Sequence, residues 1–221
     1  ETEAGEALPL SELGPPLDSV GWEPFVSEGR VDLLVAAVQY ADAITTVSTR
    51  YADELRDESR FGALAAAVAG CDKPVVGIEN GIDYAVYNPA TDSALVSHYS
   101  AEDVANKGRC KTAVIRELGL ELDTERPVVV AIGAPDASQG LDLVGRALPA
   151  LLQSDVTLVV TGAPEGPVGE QMEAARQRHP ERFTRLDPPD EPTLRRLVAA
   201  ADLVVSPVPH APCDPLPMIA Q

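Results

Sequence analysis

Positive charge is the scarcest feature of this chain: its 221 residues hold 17 Lys and Arg against 35 Asp and Glu, a formal net charge of -18. Such a surface repels phosphate backbones and anionic membranes, so neither nucleic acid nor membrane is expected as a partner. Acidity itself reads as a solubility or salt-adaptation feature. Cysteine is also rare. Cys71, Cys110 and Cys213 are too far apart for the close pairs of a zinc site and make no disulfide framework, so they are expected as buried thiols in a reducing compartment. No run reaches the roughly 18 to 20 apolar residues of a membrane span, and the acidic start Glu1-Thr2-Glu3 is the opposite of a signal peptide's basic region. A cytoplasmic location is expected, and the start without Met fits a processed or excised product. What the chain does have is 45% hydrophobic residues, enough for one large domain or one domain and a piece of another.

The first thirty residues are acidic and rich in Pro and Gly around the single Trp22, which predicts irregular structure. A helix is expected over 31–40, a buried strand over 43–47, and a helix from Tyr51 capped by Ser48 or Thr49. A second buried strand, 74–78, ends at the turn pair Asn80-Gly81. Ser100, Glu102 and Asp103 suggest the start of a helix running to Leu118. Beyond it, strands at 127–133, 156–161, 182–186 and 202–207 alternate with helices at 140–152, 165–178 and 191–200. That alternation predicts an α/β class with a Rossmann-like parallel sheet flanked by helices. The Pro-rich end from Pro207 to Pro217 reads as a loop, and a doubly wound domain would continue with further strands and helices.

Fold pattern alone leaves function open, but an ordered series of motifs narrows it. Tyr40-Ala41-Asp42-Ala43-Ile44-Thr45-Thr46-Val47-Ser48, Asn80-Gly81-Ile82-Asp83-Tyr84, Tyr87-Asn88-Pro89, His98-Tyr99-Ser100, Lys111, Arg116-Glu117-Leu118-Gly119-Leu120, Gln139-Gly140-Leu141-Asp142-Leu143, Ala201-Asp202-Leu203 and Pro212-Cys213 together resemble bacterial glycogen synthases and plant starch synthases. The resemblance covers Leu8 to the end. It implies a retaining GT-B glycosyltransferase passing glucosyl units from ADP- or UDP-glucose to an α-1,4-glucan. Residues 1–78 would be the C-terminal part of the acceptor-side domain with an irregular leader. Residues 79–120 would connect the domains, and 121–221 would be an incomplete nucleotide-side domain. The family's Lys-x-Gly-Gly-Leu loop is not among these residues, which implies impaired activity for this stretch alone. The implied partners are a nucleotide sugar, an α-glucan and a protein that completes the cleft; no cofactor is implied.

A departing nucleoside diphosphate gains negative charge, so such chemistry needs cations or amide dipoles aimed at it. Where the family reads Ser-Arg-Leu-x-x-Gln-Lys-Gly, this chain reads Gly133 to Gly140, with Ala134 in place of Arg and Gln139 in place of Lys. Where the family reads Glu-Pro-Cys-Gly-Leu, Ala211 replaces Glu and Asp214 replaces Gly, while Pro215 and Pro217 remove amides. Pro189 replaces a family tyrosine before Asp190-Glu191. The degenerate catalytic positions are therefore Ala134, Gln139 and Ala211. Gly133, Gly140, Asp190, Glu191, Cys213, Asp214 and Leu216 would line a nucleotide-sugar pocket, and a pseudoenzyme is expected. A metal site at His210, Cys213 and Asp214 is disfavoured by the intervening proline and the lack of a second cluster. Cys213 reads as packing rather than as a nucleophile. Lys107, Arg109 and Lys111 read as a solvated basic face, and the glycines Gly162, Gly166 and Gly169 form only a weak phosphate-loop pattern, interrupted by Pro164 and Pro167.

Overall fold

A computed structural model of the chain describes residues 8–9, 26–27, 30–133, 140–162 and 166–221, with side chains from residue 32 onward. The chain divides into two compact units, Glu1–Asn80 and Gly81–Gln221.

In the first unit, three two-residue strands, β1 (Leu8–Pro9), β2 (Val26–Ser27) and β3 (Arg30–Val31), pair antiparallel in the order β1-β3-β2. Asp32 then starts helix α1 (Leu33–Tyr40) by accepting the Leu34 and Val35 amides at 3.0 and 3.1 Å, which satisfies donors that the first turn cannot pair itself. Strand β4 (Ile44–Thr46) leads to Ser48, whose hydroxyl accepts the Tyr51 amide at 3.1 Å and caps α2 (Thr49–Glu54). Helix α3 (Glu58–Gly70), bent at Gly62, returns the chain to β5 (Val75–Gly77), parallel to β4. Val35, Val38, Leu55, Ala65 and Val68 are buried in this unit.

Two expectations fail here. Neither β4 nor β5 is a buried strand: Thr45 is exposed and Val76 and Ile78 are 49% and 59% exposed, because each strand has one partner among the described residues and only one covered face. Of the three cysteines only Cys110 is buried; Cys71 and Cys213 are half-buried, and all three are free thiols.

The second unit begins with a turn-rich segment, 81–106, in which Asp83, Asn88 and Asp92 each accept the amide two residues on. The expected helix from Ser100 is instead a local turn, in which the Ser100 hydroxyl accepts the Asp103 amide; helix α4 spans Lys107–Glu117. Next come β6 (Val128–Ile132), α5 (Leu141–Gln153), β7 (Thr157–Thr161), α6 (Gly166–Arg178), β8 (Phe183–Leu186), α7 (Glu191–Ala200) and β9 (Leu203–Val205). All four strands are parallel, in the order β8-β7-β6-β9. The Pro-rich end is not all loop: a short helix α8 covers Leu216–Ile219, with Pro217 in a first turn that does not need its missing amide hydrogen.

Alternation along the strands divides their side chains between two cores. Val129, Ala131, Leu158 and Val160 pack with Leu141, Val144, Leu148, Met172 and Phe183 under α5 and α6. Val128, Val130 and Val159 pack with Val114, Ile115 and Leu197 under α4 and α7. A sheet covered on both faces explains why its strands read as continuous apolar runs.

The basic run on α4 is not a solvated face. The Lys111 side chain is 9% exposed, and its Nζ donates to Asp202 Oδ2 at 2.8 Å and to the Thr124 carbonyl at 2.9 Å. Lys107 Nζ donates to the Ala199 and Val198 carbonyls at 2.8 and 3.4 Å, capping the carbonyl end of α7 with positive charge. Burial pulls the Lys107 pKa down, and the nearby Asp202 opposes that shift. Only Arg109 of the three is exposed as expected; residues four apart share one helix face, so 107 and 111 turn inward together.

Candidate functional site

In the second unit the chain runs from β6 outward to β7 and β8, then crosses back so that β9 flanks β6 on its other side. Between β6 and β9 the winding direction reverses, and the carboxyl end of such a pair is where open parallel sheets bind ligands. The segments after β6 and β9 contain most of the residues the sequence nominated.

Gly133 follows β6, and its amide donates to the Thr161 carbonyl at 3.3 Å and to the Thr161 hydroxyl at 3.4 Å, which ties the segment's start to β7. A Cβ on Gly133 would meet the Leu141 side chain at 2.8 Å. Gly140 precedes α5 with φ +70°, and a Cβ there would lie 1.9 Å from the Pro207 carbonyl oxygen. The segments after β6 and β9 are thus in backbone contact at the switch point, and only a glycine permits it. Ala134 and Gln139 lie outside the described residues.

After β9, Asp214 organises the loop. Its Oδ1 accepts the Leu216 amide at 2.9 Å and its Oδ2 accepts the Ser206 hydroxyl. Leu216 is buried, Cys213 half-buried and Ala211 exposed. Ser206, placed by sequence inside the last strand, is the first residue beyond it; its importance was unreadable because its partner is eight residues away.

Asp190 and Glu191 stand at the start of α7, after β8 and so at the same end of the sheet. Asp190 caps the helix, accepting the Thr193 amide at 3.0 Å; hydrogen bonds from the Thr193 side chain and amide hold its carboxyl below the usual range. Glu191 accepts from the Tyr87 hydroxyl at 3.1 Å and lies 3.3 Å from Arg195 Nη1. Burial, then the bond to Glu191, pushes the Tyr87 phenol up. Arg195 also holds the buried Asp92 at 2.8 Å. A chain of polar contacts, Tyr87-Glu191-Arg195-Asp92, therefore fastens the turn-rich segment to the start of α7. The Tyr87 motif was legible, but neither Arg195 nor the pairing with Asp92 was, since the partners are 103 residues apart.

The sequence stretches that follow the four strands, 133–140, 162–165, 187–190 and 206–215, contain Asp136, Glu165, Asp187, Asp190 and Asp214 but neither Lys nor Arg. Among the described residues no group of His, Cys, Asp and Glu gathers as a metal site. A cleft of about 470 Å³ between α5 and α6, lined by Leu148, Leu152, Gln171, Arg178, His179 and Arg182, lies at the opposite end, where Arg182 caps α5 through the Leu152 and Ser154 carbonyls at 2.6 and 3.0 Å.

Comparison with known proteins agrees with this arrangement. Residues 6–69 match the starch synthase catalytic domain family. The chain is 35% identical over 204 residues to a glycogen synthase of Anaeromyxobacter dehalogenans, covering 92% of this chain and 43% of that protein. It is 32% identical over 183 residues to soluble starch synthase 1 of Solanum tuberosum, covering 83% of this chain and 28% of that one. The catalytic domain of starch synthase IV from Arabidopsis thaliana, solved with ADP and acarbose bound, superposes with a TM-score of 0.80 at 30% identity, over 89% of this chain and 41% of the other. The chain belongs to the glycogen and starch synthase family. Its parallel sheets flanked by helices are those of the GT-B starch synthase catalytic domain. It spans less than half the length of these relatives. No helix among the described residues is long and apolar enough to cross a membrane.

Proposed function

We propose that this chain is part of a glycogen or starch synthase-type glucosyltransferase whose donor chemistry is impaired. In this reading 121–221 is the nucleotide-side domain, 79–120 the connection and 1–78 the tail of the acceptor-side domain, in a cytoplasmic protein completed by a partner. The switch-point crevice, lined by Gly133, Gly140, Asp190, Glu191, Cys213, Asp214 and Leu216, would face an ADP- or UDP-glucose donor, with an α-1,4-glucan as acceptor.

The observation that carries the impairment is the absence of Lys and Arg from the four sequence stretches that follow the strands of the second unit. A glucosyl group leaves a diphosphate that must be stabilised as charge builds, and each missing charge-assisted contact in a dry site costs about 2 to 4 kcal/mol of transition-state stabilisation. The same absence favours a second reading, a non-catalytic relative that binds glucan or scaffolds another subunit.

Thermal melting with ADP-glucose or UDP-glucose at millimolar concentration separates the two. A rise in Tm supports the donor-binding reading. No rise with either, together with retention on an amylopectin gel, leaves the scaffold. If Ala134, Gln139 and Ala211 are the defects, the triple change Ala134→Arg, Gln139→Lys and Ala211→Glu restores donor binding before turnover.

A further inference from the structure

Helices α5 and α6 are clipped together beside Gly145, where a Cβ would lie 3.1 Å from Val168 Cγ1. Pro149, inside α5, has no amide hydrogen to give to the carbonyl four residues back. That carbonyl, on Gly145, instead accepts from Gln171 Nε2 of α6 at 2.8 Å. The cleft of about 470 Å³ lies between the turns that follow this clip, and both Pro149 and Gln171 line it. Its size is that of a small-molecule pocket. Every lining residue is described and belongs to the second unit.

The floor of the cleft is apolar: Leu148, Leu152 and Ala175 are only 1%, 7% and 8% exposed. The rest of the lining is basic or neutral. Arg178, His179 and Arg182 are part of it, and neither Asp nor Glu is, in a chain with about twice as many acidic as basic residues. Arg182 is held in place by the Ser154 and Leu152 carbonyls, to which Nη1 and Nη2 donate at 3.0 and 2.6 Å; these two bonds use only part of the guanidinium's donors. Glu181, outside the lining, lies 3.4 Å from Arg182 Nε and 3.9 Å from His179 Nδ1, with its side chain 46% exposed. Arg178 is exposed and has neither an ion pair nor a side-chain hydrogen bond among the described residues. Helix carbonyl ends attract cations, which accounts for one basic residue at the end of each helix. It does not account for an apolar floor beside a cation that no carboxylate matches.

We propose that the cleft between α5 and α6 binds a small organic anion, with its phosphate or carboxylate group held by Arg178, His179 and Arg182 and its carbon body resting on Leu148, Leu152 and Ala175. A guanidinium that the protein already fixes loses little freedom on pairing with an anion, and Arg178 supplies the charge that is not yet matched. The cleft residues precede β7 and β8, at the amino ends of the strands, whereas Gly133, Asp190 and Asp214 follow strands. An occupant of the cleft therefore does not compete with a ligand at the other end, and the proposal does not rest on the reading of that end as a nucleotide site.

Nitrogen-proton correlation NMR of the whole chain tests it, with phenyl phosphate and phenylacetate as organic anions, phenol as the uncharged body and inorganic phosphate as the bare anion. Amides within 148–153 and 171–182 are expected to shift with at least one organic anion, at a dissociation constant on the order of 1 mM for a ligand of this size. The tighter of the two identifies the anionic group that the cleft takes. Arg178→Gln removes the unmatched charge, and Gln153→Glu places a carboxylate at an exposed lining position. Each is expected to weaken binding about fivefold, with circular dichroism to confirm folding; Arg182 is left intact because it holds the end of α5. No shift in the cleft with either organic anion overturns the proposal. Phenol or inorganic phosphate binding there as tightly as the organic anion also overturns it, since one half of the site would then be idle. Unchanged affinity in both variants overturns it too and leaves the basic residues as helix caps alone.

Discussion

The Pro207 carbonyl oxygen lies 1.9 Å from where a Cβ on Gly140 would stand. This contact joins the start of α5 to the segment that follows β9. Gly140 also adopts φ +70°, where a side chain is strained even in open space. Gly140→Ala is therefore expected to destabilise the second unit by about 2 to 4 kcal/mol, read as a shift in the urea midpoint with unchanged slope. A shift below about 0.5 kcal/mol would show that the segment after β9 moves aside freely.

How much of this was legible depended on burial. The sheet of the second unit could be read because its strands are covered on both faces, which makes runs such as Val128-Val129-Val130 stand out. Strands β4 and β5 look similar in sequence but are half-exposed, since apolar content does not reveal how many partners a strand has. Helix α3 was invisible: Ala63 to Ala69 offers no contrast between faces, and Gly62 interrupts it with φ +49°. At the site, Gly133, Gly140, Asp190 and Asp214 could be named from sequence, whereas the bond of Asp214 with Ser206 and that of Arg195 with Asp92 depend on chain return.

The Lys111-Asp202 pair joins α4 to the start of β9, and Asp202 Oδ2 also accepts the Val128 amide at 2.8 Å. Burial raises the Asp202 pKa, but the bonds from Lys111 and Val128 outweigh it and leave the carboxyl below its ordinary value of 3.8. A lowered carboxylate pKa gives stability that is full above the unfolded value and lost as pH falls through the folded one. Asp202→Asn should therefore lower Tm at pH 6 and do so much less at pH 3. Equal effects at both pH values would mean the pair acts by shape, not charge.

Thr157 opens β7 fully buried, and its hydroxyl has no hydrogen-bond partner among the described residues. A buried hydroxyl without a partner costs about 1 to 3 kcal/mol in lost solvation. Thr157→Val keeps the shape and the β-branch, and is expected to raise stability by roughly 1 kcal/mol in urea titration. A loss of stability would show that the hydroxyl is satisfied in solution.

Arg195 stands between Asp92 and Glu191, and the two carboxylates are not equivalent. The Asp92 side chain is 5% exposed and lies 2.8 Å from the guanidinium, while Glu191 is 54% exposed at 3.3 Å. Removing Arg195 strands a buried charge on Asp92, whereas removing Glu191 returns only an exposed partner to water. Arg195→Met should thus cost about 3 to 5 kcal/mol, and Glu191→Gln no more than about 1 kcal/mol. The double variant Arg195→Met with Asp92→Leu should recover part of the loss, because the stranded carboxylate disappears along with its cation. Both single costs and the double are read from urea midpoints. If the double variant is no more stable than Arg195→Met, the penalty comes from lost packing of the Arg195 stem on the 81–106 segment instead of from an unpaired charge.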